Sequence, residues 1–174
     1  MNMMMLAIAA SQTKPNLDKF LHQLDQITES QGLNVPPIVN IDKMRSLPQG
    51  TFGRIWADLL DANHLQPFTT GTRRKQLHDG VHVLTGYGTD PIGEIEAQAF
   101  LLGAKFTIFN LMLGLGLLRM IAQNHQTQTH QVSWERIWQA YQRGVNSQFD
   151  PDTWQPELLW HLPLQEVQAL FALV

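Results

Sequence analysis

The chain has 174 residues, enough for one domain that buries roughly two-thirds of the surface its unfolded form would expose. Hydrophobic residues make up 44% and charged residues 16%, a balance that suits a globular core and excludes general disorder. Twelve Lys and Arg against fifteen Asp and Glu leave a net charge of −3, so no global positive field exists to hold a nucleic acid, and the absence of cysteine leaves only His and carboxylate as metal ligands.

In chain order, residues 1–10 are apolar but lack a basic n-region, and none of the first thirteen residues is basic. They read as the first turns of a helix rather than as a signal or transit peptide, which gives the expectation of a cytoplasmic protein of a prokaryote. Residues 14–30 place Leu17, Phe20, Leu21, Leu24 and Ile27 on one helical stripe, and Gly32 stops it. Residues 35–50, with Pro36, Pro37, Pro48 and Gly50, read as an irregular connection with one short turn at 41–47. Residues 51–63 are helical again: Phe52, Ile55, Trp56, Leu59 and Leu60 form a face, Thr51 is the expected N-cap and Pro67 closes the exit.

A third helix is expected over 72–87, opened by Arg73, Arg74 and Lys75 and ended by Gly86 and Gly88. Asp90 and Pro91 then announce a fourth, with Glu94 and Glu96 near the positive end of its dipole. Its apolar pattern runs on to about residue 122. The thirteen uncharged residues between Lys105 and Arg119 fall short of the roughly twenty that a membrane span requires. Further helices are expected at 133–147 and from Pro163 to the end. Strand patterns are nearly absent, so the expectation is an all-α bundle of about six to seven helices forming a single domain over 1–174.

His78 and His82 are four apart, so on a helix both imidazoles leave the same face and can meet one ion. Asp79 borders that face, and Glu94 can return from the start of the next helix across the glycine-rich turn. The set His78, Asp79, His82 and Glu94 suits one divalent metal ion, zinc first, with manganese or ferrous iron as alternatives where redox chemistry is needed. The plain alternative is a pair of hydrogen-bonded histidines at a core boundary, with Glu94 paired to the helix dipole. His64 is read as a helix C-terminal residue, and His22, His125, His130 and His161 lack a partner at useful spacing.

The apolar stretch 100–121 is bulky on every face. Its simplest reading is a central core helix. The functional alternative uses Gly103, Gly114 and Gly116 to leave room beside Phe106, Phe109, Leu113 and Leu117 for a long apolar ligand whose polar end lies at the metal. Arg73, Arg74 and Lys75 would then hold an anionic head group, although a basic run at a helix start is usually a solvated face.

His78-Asp79-Gly80-Val81-His82, eleven residues and then Glu94 resemble the HDxxH-x11-E signature of the coenzyme Q (ubiquinone) biosynthesis family known as the fourth Coq protein. Leu47-Pro48-Gln49-Gly50-Thr51-Phe52-Gly53 resembles that family's LPxGSFG segment, and Asn63-His64-Leu65 lies within the match to its NxH segment. The likeness extends from about residue 41 to the end. Lys75 stands where the family commonly has arginine, and Gly80-Val81 replaces a bulkier pair. The resemblance implies an all-helical protein that associates with membrane quinone machinery and holds its metal on His78, Asp79, His82 and Glu94, with His78 and Asp79 as candidates for chemistry. It implies a polyprenylated benzenoid lipid as ligand and oxidative removal of the ring carboxylate as activity.

The alternative is a non-catalytic isoprenoid-binding scaffold that organises other quinone-biosynthesis proteins around a structural metal. A third reading, a metal-dependent hydrolase with Asp79 as general base, has no nucleophile elbow or His-Glu-x-x-His motif behind it. An exposed apolar groove would invite a homodimer or peripheral contact with the inner face of a membrane.

Overall fold

The computed structural model describes residues 26, 28–106 and 133–174. Among them are seven α-helices and one 3-10 turn, with two isolated β-bridges, Asn34 to Thr72 and Thr51 to Pro163, and no sheet. The class is all-α. No helix of the described residues is long and apolar enough to cross a membrane.

Most of the first expected helix lies outside the described residues. Its end is seen: Thr28 to Ser30 are helical, and Gly32, at φ 68°, donates its N–H to Glu29 O while Leu33 donates to Thr28 O. The short turn is helix α1, Ile41–Arg45, capped by the Asn40 side chain at Lys43 N. Helix α2, Phe52–Ala62, buries Phe52, Trp56, Ala57 and Leu60. Thr51 holds the N-cap position, but its hydroxyl donates to Pro48 O instead of accepting a helix N–H. The first donors of α2 find other acceptors, because Phe52 N reaches Leu162 O and Gly53 N reaches Trp160 O at 2.8 and 2.9 Å. At the far end the cap is Asn63, and His64 follows with φ 53°.

The helix expected over 72–87 is two helices, α3 (Arg73–Gln76) and α4 (His78–Thr85), divided at Leu77. The break coincides with tertiary demands on both sides. Gln76 is buried, accepting from Ile38 N and donating to Val35 O, while Leu77 enters the core. A periodicity argument cannot see either bond.

Helix α5, Pro91–Ala104, begins as expected, with Asp90 Oδ1 accepting from Ile92 N and Gly93 N. It ends far sooner than the apolar pattern implies. Lys105 is extended, its ammonium 2.9 Å from Asp150 and 3.0 Å from Asp152, and Phe106 is exposed. Helix α6, Trp134–Asn146, packs on α5 at backbone contact, since a Cβ on Gly103 would fall on Tyr141 O and one on Gly144 on Phe100 O. After the 3-10 turn Pro156–Leu158, helix α7, Leu164–Leu170, stops four residues before Val174. The core collects Phe52, Trp56, Leu77, Leu84, Phe100, Trp154 and Val167, with Phe149 edge-on to Trp154 and to Phe171.

Candidate metal centre

Two short-range features set the site. Gly86, at φ 78°, ends α4 in the left-handed conformation that a side chain disfavours. Gly93 then lies directly on the Gly88 backbone, where a Cβ would collide with the Gly88 carbonyl. These contacts fold the first turn of α5 back over α4 and bring Glu94 to the two imidazoles.

His78 Nε2, His82 Nε2 and Glu94 Oε2 form a nearly equilateral triangle, with edges of 3.1 Å between the imidazoles, 3.2 Å from His78 to Glu94 and 3.0 Å from His82 to Glu94. An ion roughly 2.0–2.2 Å from each ligand atom, with bond angles between 90° and 110°, requires edges of roughly 2.8–3.6 Å. The donor set therefore fits a divalent ion in both chemistry and spacing. The site is sheltered: His82 is 2% exposed, and the His78 and Glu94 side chains are each 23% exposed.

The surroundings orient two of the three groups. His82 Nδ1–H donates to Tyr87 O over 3.3 Å, which leaves its Nε2 lone pair facing the triangle. Gln98 Nε2, one turn after Glu94, donates to Glu94 Oε1 over 3.1 Å. Burial alone would raise the Glu94 carboxyl, but hydrogen bonds from His78 and His82 and their charge overcome it and hold the group far below the usual carboxylate range. Burial likewise opposes charge on His78, yet the Glu94 hydrogen bond and the nearby Glu94 and Asp79 charges raise its pKa.

Asp79 stands apart. It is 8% exposed and shares the field of both imidazoles and Glu94, but among the described residues the group whose ligand atoms all lie within 4.8 Å is His78, His82 and Glu94. Burial pushes its carboxyl up. The basic run is engaged with the chain itself. Arg73 Nη2 bridges both Glu157 oxygens at 2.7 Å and Trp154 O at 2.9 Å, Arg74 Nη1 meets Asp152 at 3.2 Å, and Lys75 lies 5.1 Å from the Phe68 ring centre. Arg74 Nη2 is buried without a hydrogen-bond partner among the described residues, and burial lowers the pKa of that guanidinium. Phe106 is 66% exposed, whereas Phe109, Leu113 and Leu117 lie outside the described residues, as do His22, His125 and His130. At Gly80 the Trp56 ring fills the space, 2.6 Å from where a Cβ would stand. Sequence reasoning missed Gln98, although its position four residues after Glu94 on one helix was the available signal.

Fold and site together define an all-helical protein with a His-His-Glu cluster suited to one divalent ion. No protein-family model matches the chain. The mitochondrial ubiquinone biosynthesis protein COQ4 homolog of Bos taurus is 33% identical over a match covering 36% of this chain and 29% of that protein. The mitochondrial ubiquinone biosynthesis protein coq-4 of Neurospora crassa is 33% identical over 49% of this chain and 27% of that protein. The matches thus span less than a third of these relatives' own length. A crystal structure of a candidate ubiquinone biosynthesis protein of Nostoc punctiforme PCC 73102 superposes with a TM-score of 0.71 over 97% of this chain and 94% of that one, at 20% identity, and shows that the two share a fold. The chain resembles the fourth Coq protein family of ubiquinone biosynthesis, as its motifs indicated.

Proposed function

We propose that this chain, acting as one helical domain over 1–174, is a metal-dependent protein of ubiquinone or related prenylquinone biosynthesis that binds a polyprenylated benzenoid lipid and promotes oxidative removal of its ring carboxylate. The observation that carries the reading is the triangle of His78, His82 and Glu94 ligand atoms on the HDxxH-x11-E segment. The place of the Bos taurus and Neurospora crassa relatives in ubiquinone biosynthesis supports the pathway. Three converging ligand atoms, with Asp79 outside them, favour a reactive site over a closed four-ligand one.

A bound iron or manganese ion would supply Lewis acidity toward the ring carboxylate and redox capacity toward dioxygen as the oxidant, with the carboxylate leaving as carbon dioxide. The chain's own groups do the rest. His82, fixed by Tyr87 O, and Glu94, fixed by Gln98, hold the ligand frame, and His78 completes it. Asp79, whose carboxyl pKa burial raises, lies beside that frame. Arg74, through Nη2, with Arg73 and Lys75 flanking it, would receive the anionic end of the lipid, and the tail would run beside Phe106, Phe109, Leu113 and Leu117.

A second reading, a lipid-binding scaffold with a structural zinc, is favoured by one specific feature. Trp134, Trp138 and Val145 are 71%, 59% and 49% exposed along α6, an apolar face suited to a second copy, to other quinone-biosynthesis proteins or to a membrane surface touched from the cytoplasmic side.

Elemental analysis by mass spectrometry and lipid extraction, on protein purified without added metal and on His82→Ala, test both readings. Near-stoichiometric iron or manganese that His82→Ala lacks, together with co-extracted prenyl lipid, is the expected result. Zinc at that stoichiometry favours the scaffold, and the absence of both metal and prenyl lipid refutes the proposal.

A further inference from the structure

We infer that Gln98 is a positioning residue of the metal centre, kept as an amide to hold Glu94 as a ligand through Oε2 rather than to stabilise the fold; this rests on the metal reading above. Gln98 is 3% exposed on α5, among residues that otherwise belong to a helix core. Its Nε2 donates to Glu94 Oε1, the oxygen that also lies 3.0 Å from His78 Nε2, while His82 Nε2 lies 3.0 Å from Oε2. The other half of the amide is unused: Gln98 Oε1 is buried and accepts no hydrogen bond among the described residues.

That combination has a direction. A buried acceptor without a donor penalises the folded state, and an apolar side chain of the same shape would remove the penalty. Packing therefore favours leucine or methionine at this position, and among the described residues the partner an amide gains there is Glu94. The Glu94 carboxylate in turn lies 3.0 Å from each imidazole. Glu94 offers both oxygens to the imidazoles, with Oε1 at 3.0 Å from His78 Nε2 and Oε2 at 3.0 Å from His82 Nε2. The Gln98 hydrogen bond to Oε1 limits rotation of the carboxylate and so keeps Oε2 at 3.0 and 3.2 Å from the two Nε2 atoms. Partners of this kind, which orient a ligand without touching the ion, are worth about 10- to 100-fold in metal affinity.

The test is zinc affinity by competition with a chromogenic chelator, alongside the melting temperature of chelator-stripped protein, for wild type, Gln98→Leu, Gln98→Met and His82→Ala. The expected result is wild-type binding lost in His82→Ala and weakened about 10-fold or more in both Gln98 variants, whose metal-free melting temperatures equal or exceed that of wild type. Unchanged zinc affinity in Gln98→Leu and Gln98→Met overturns the assignment while leaving the metal site intact. A fall in affinity accompanied by a fall in metal-free stability in both variants also overturns it, because the amide would then serve the fold. Absence of zinc binding in wild type removes the metal reading itself, and this assignment with it.

Discussion

Gly93→Ala probes the joint between sequence motif and site most directly. A methyl group there falls on the Gly88 carbonyl, so the obstacle is backbone on both sides, and no rotamer change relieves it. Overpacking costs typically about 1–3 kcal/mol, and a backbone collision belongs at the upper end. For a chain of 174 residues, at about 2–4 °C per kcal/mol, 3 kcal/mol corresponds to a melting temperature lower by roughly 6–12 °C. The neighbouring residue is Glu94, so relief by lifting the first turn of α5 also moves its carboxylate away from imidazoles that its two oxygens now approach to 3.0 Å. Differential scanning calorimetry with and without chelator, paired with a zinc titration, should show both a lower metal-free transition and weaker binding. A Gly93→Ala protein that melts within 1 °C of wild type (roughly the shift from a few tenths of a kcal/mol) and binds zinc equally well refutes the argument that this contact delivers Glu94.

Asp90→Ala removes the acceptor for Ile92 N and Gly93 N and should cost about 1 kcal/mol, read as a shift of about 2–4 °C in thermal denaturation. Gly80→Ala sets a methyl against the Trp56 ring in the core, and a loss of about 1–3 kcal/mol in urea denaturation is expected, with the Trp fluorescence of the native state altered. In the metal-free protein, Glu94 is held below its ordinary pKa of 4.5, so its contribution to stability is present above that value and fades as pH falls through the lowered one. His78 is held above 6.5, so its contribution is present below that value and fades as pH rises through the raised one. The stability difference between wild type and Glu94→Gln in chelator should therefore be largest between pH 4.5 and 6.5 and shrink on either side. A difference that is flat from pH 4.5 to 9 would show that the pair does not form.

Much of the centre was legible because its parts are local. The four-residue spacing of His78 and His82 is a property of any helix, and the Asp90-Pro91 start places Glu94 in a first turn without reference to the rest of the chain. Asp79 shows the limit of that logic. Its angular position borders the imidazole face, yet its carboxylate lies outside the triangle, since the orientation of α4 against α5 decides which side of that face meets Glu94. Arg73 looked solvated in sequence and is instead bound to Glu157, a residue 84 positions away. No local pattern encodes such a pair.

The helix boundaries divide in the same way. The starts at Asn40 and Asp90 and the stop at Gly32 follow from side-chain capping and from glycine's tolerance of positive φ, both of which act within a few residues. The break at Leu77 and the end of α5 at Ala104 depend on Gln76 reaching the backbone of 35–38 and on Lys105 reaching Asp150 and Asp152, and those bonds exist only once distant segments are packed. The sequence by itself determined the helical class, the spacing of the candidate ligand residues and the turn between them, because helix periodicity and capping are short-range. Only the tertiary structure decided that Glu94 converges with the two histidines, with Asp79 outside that group, and that Gln98 donates to Glu94, because side-chain geometry is set by how one helix is docked on another.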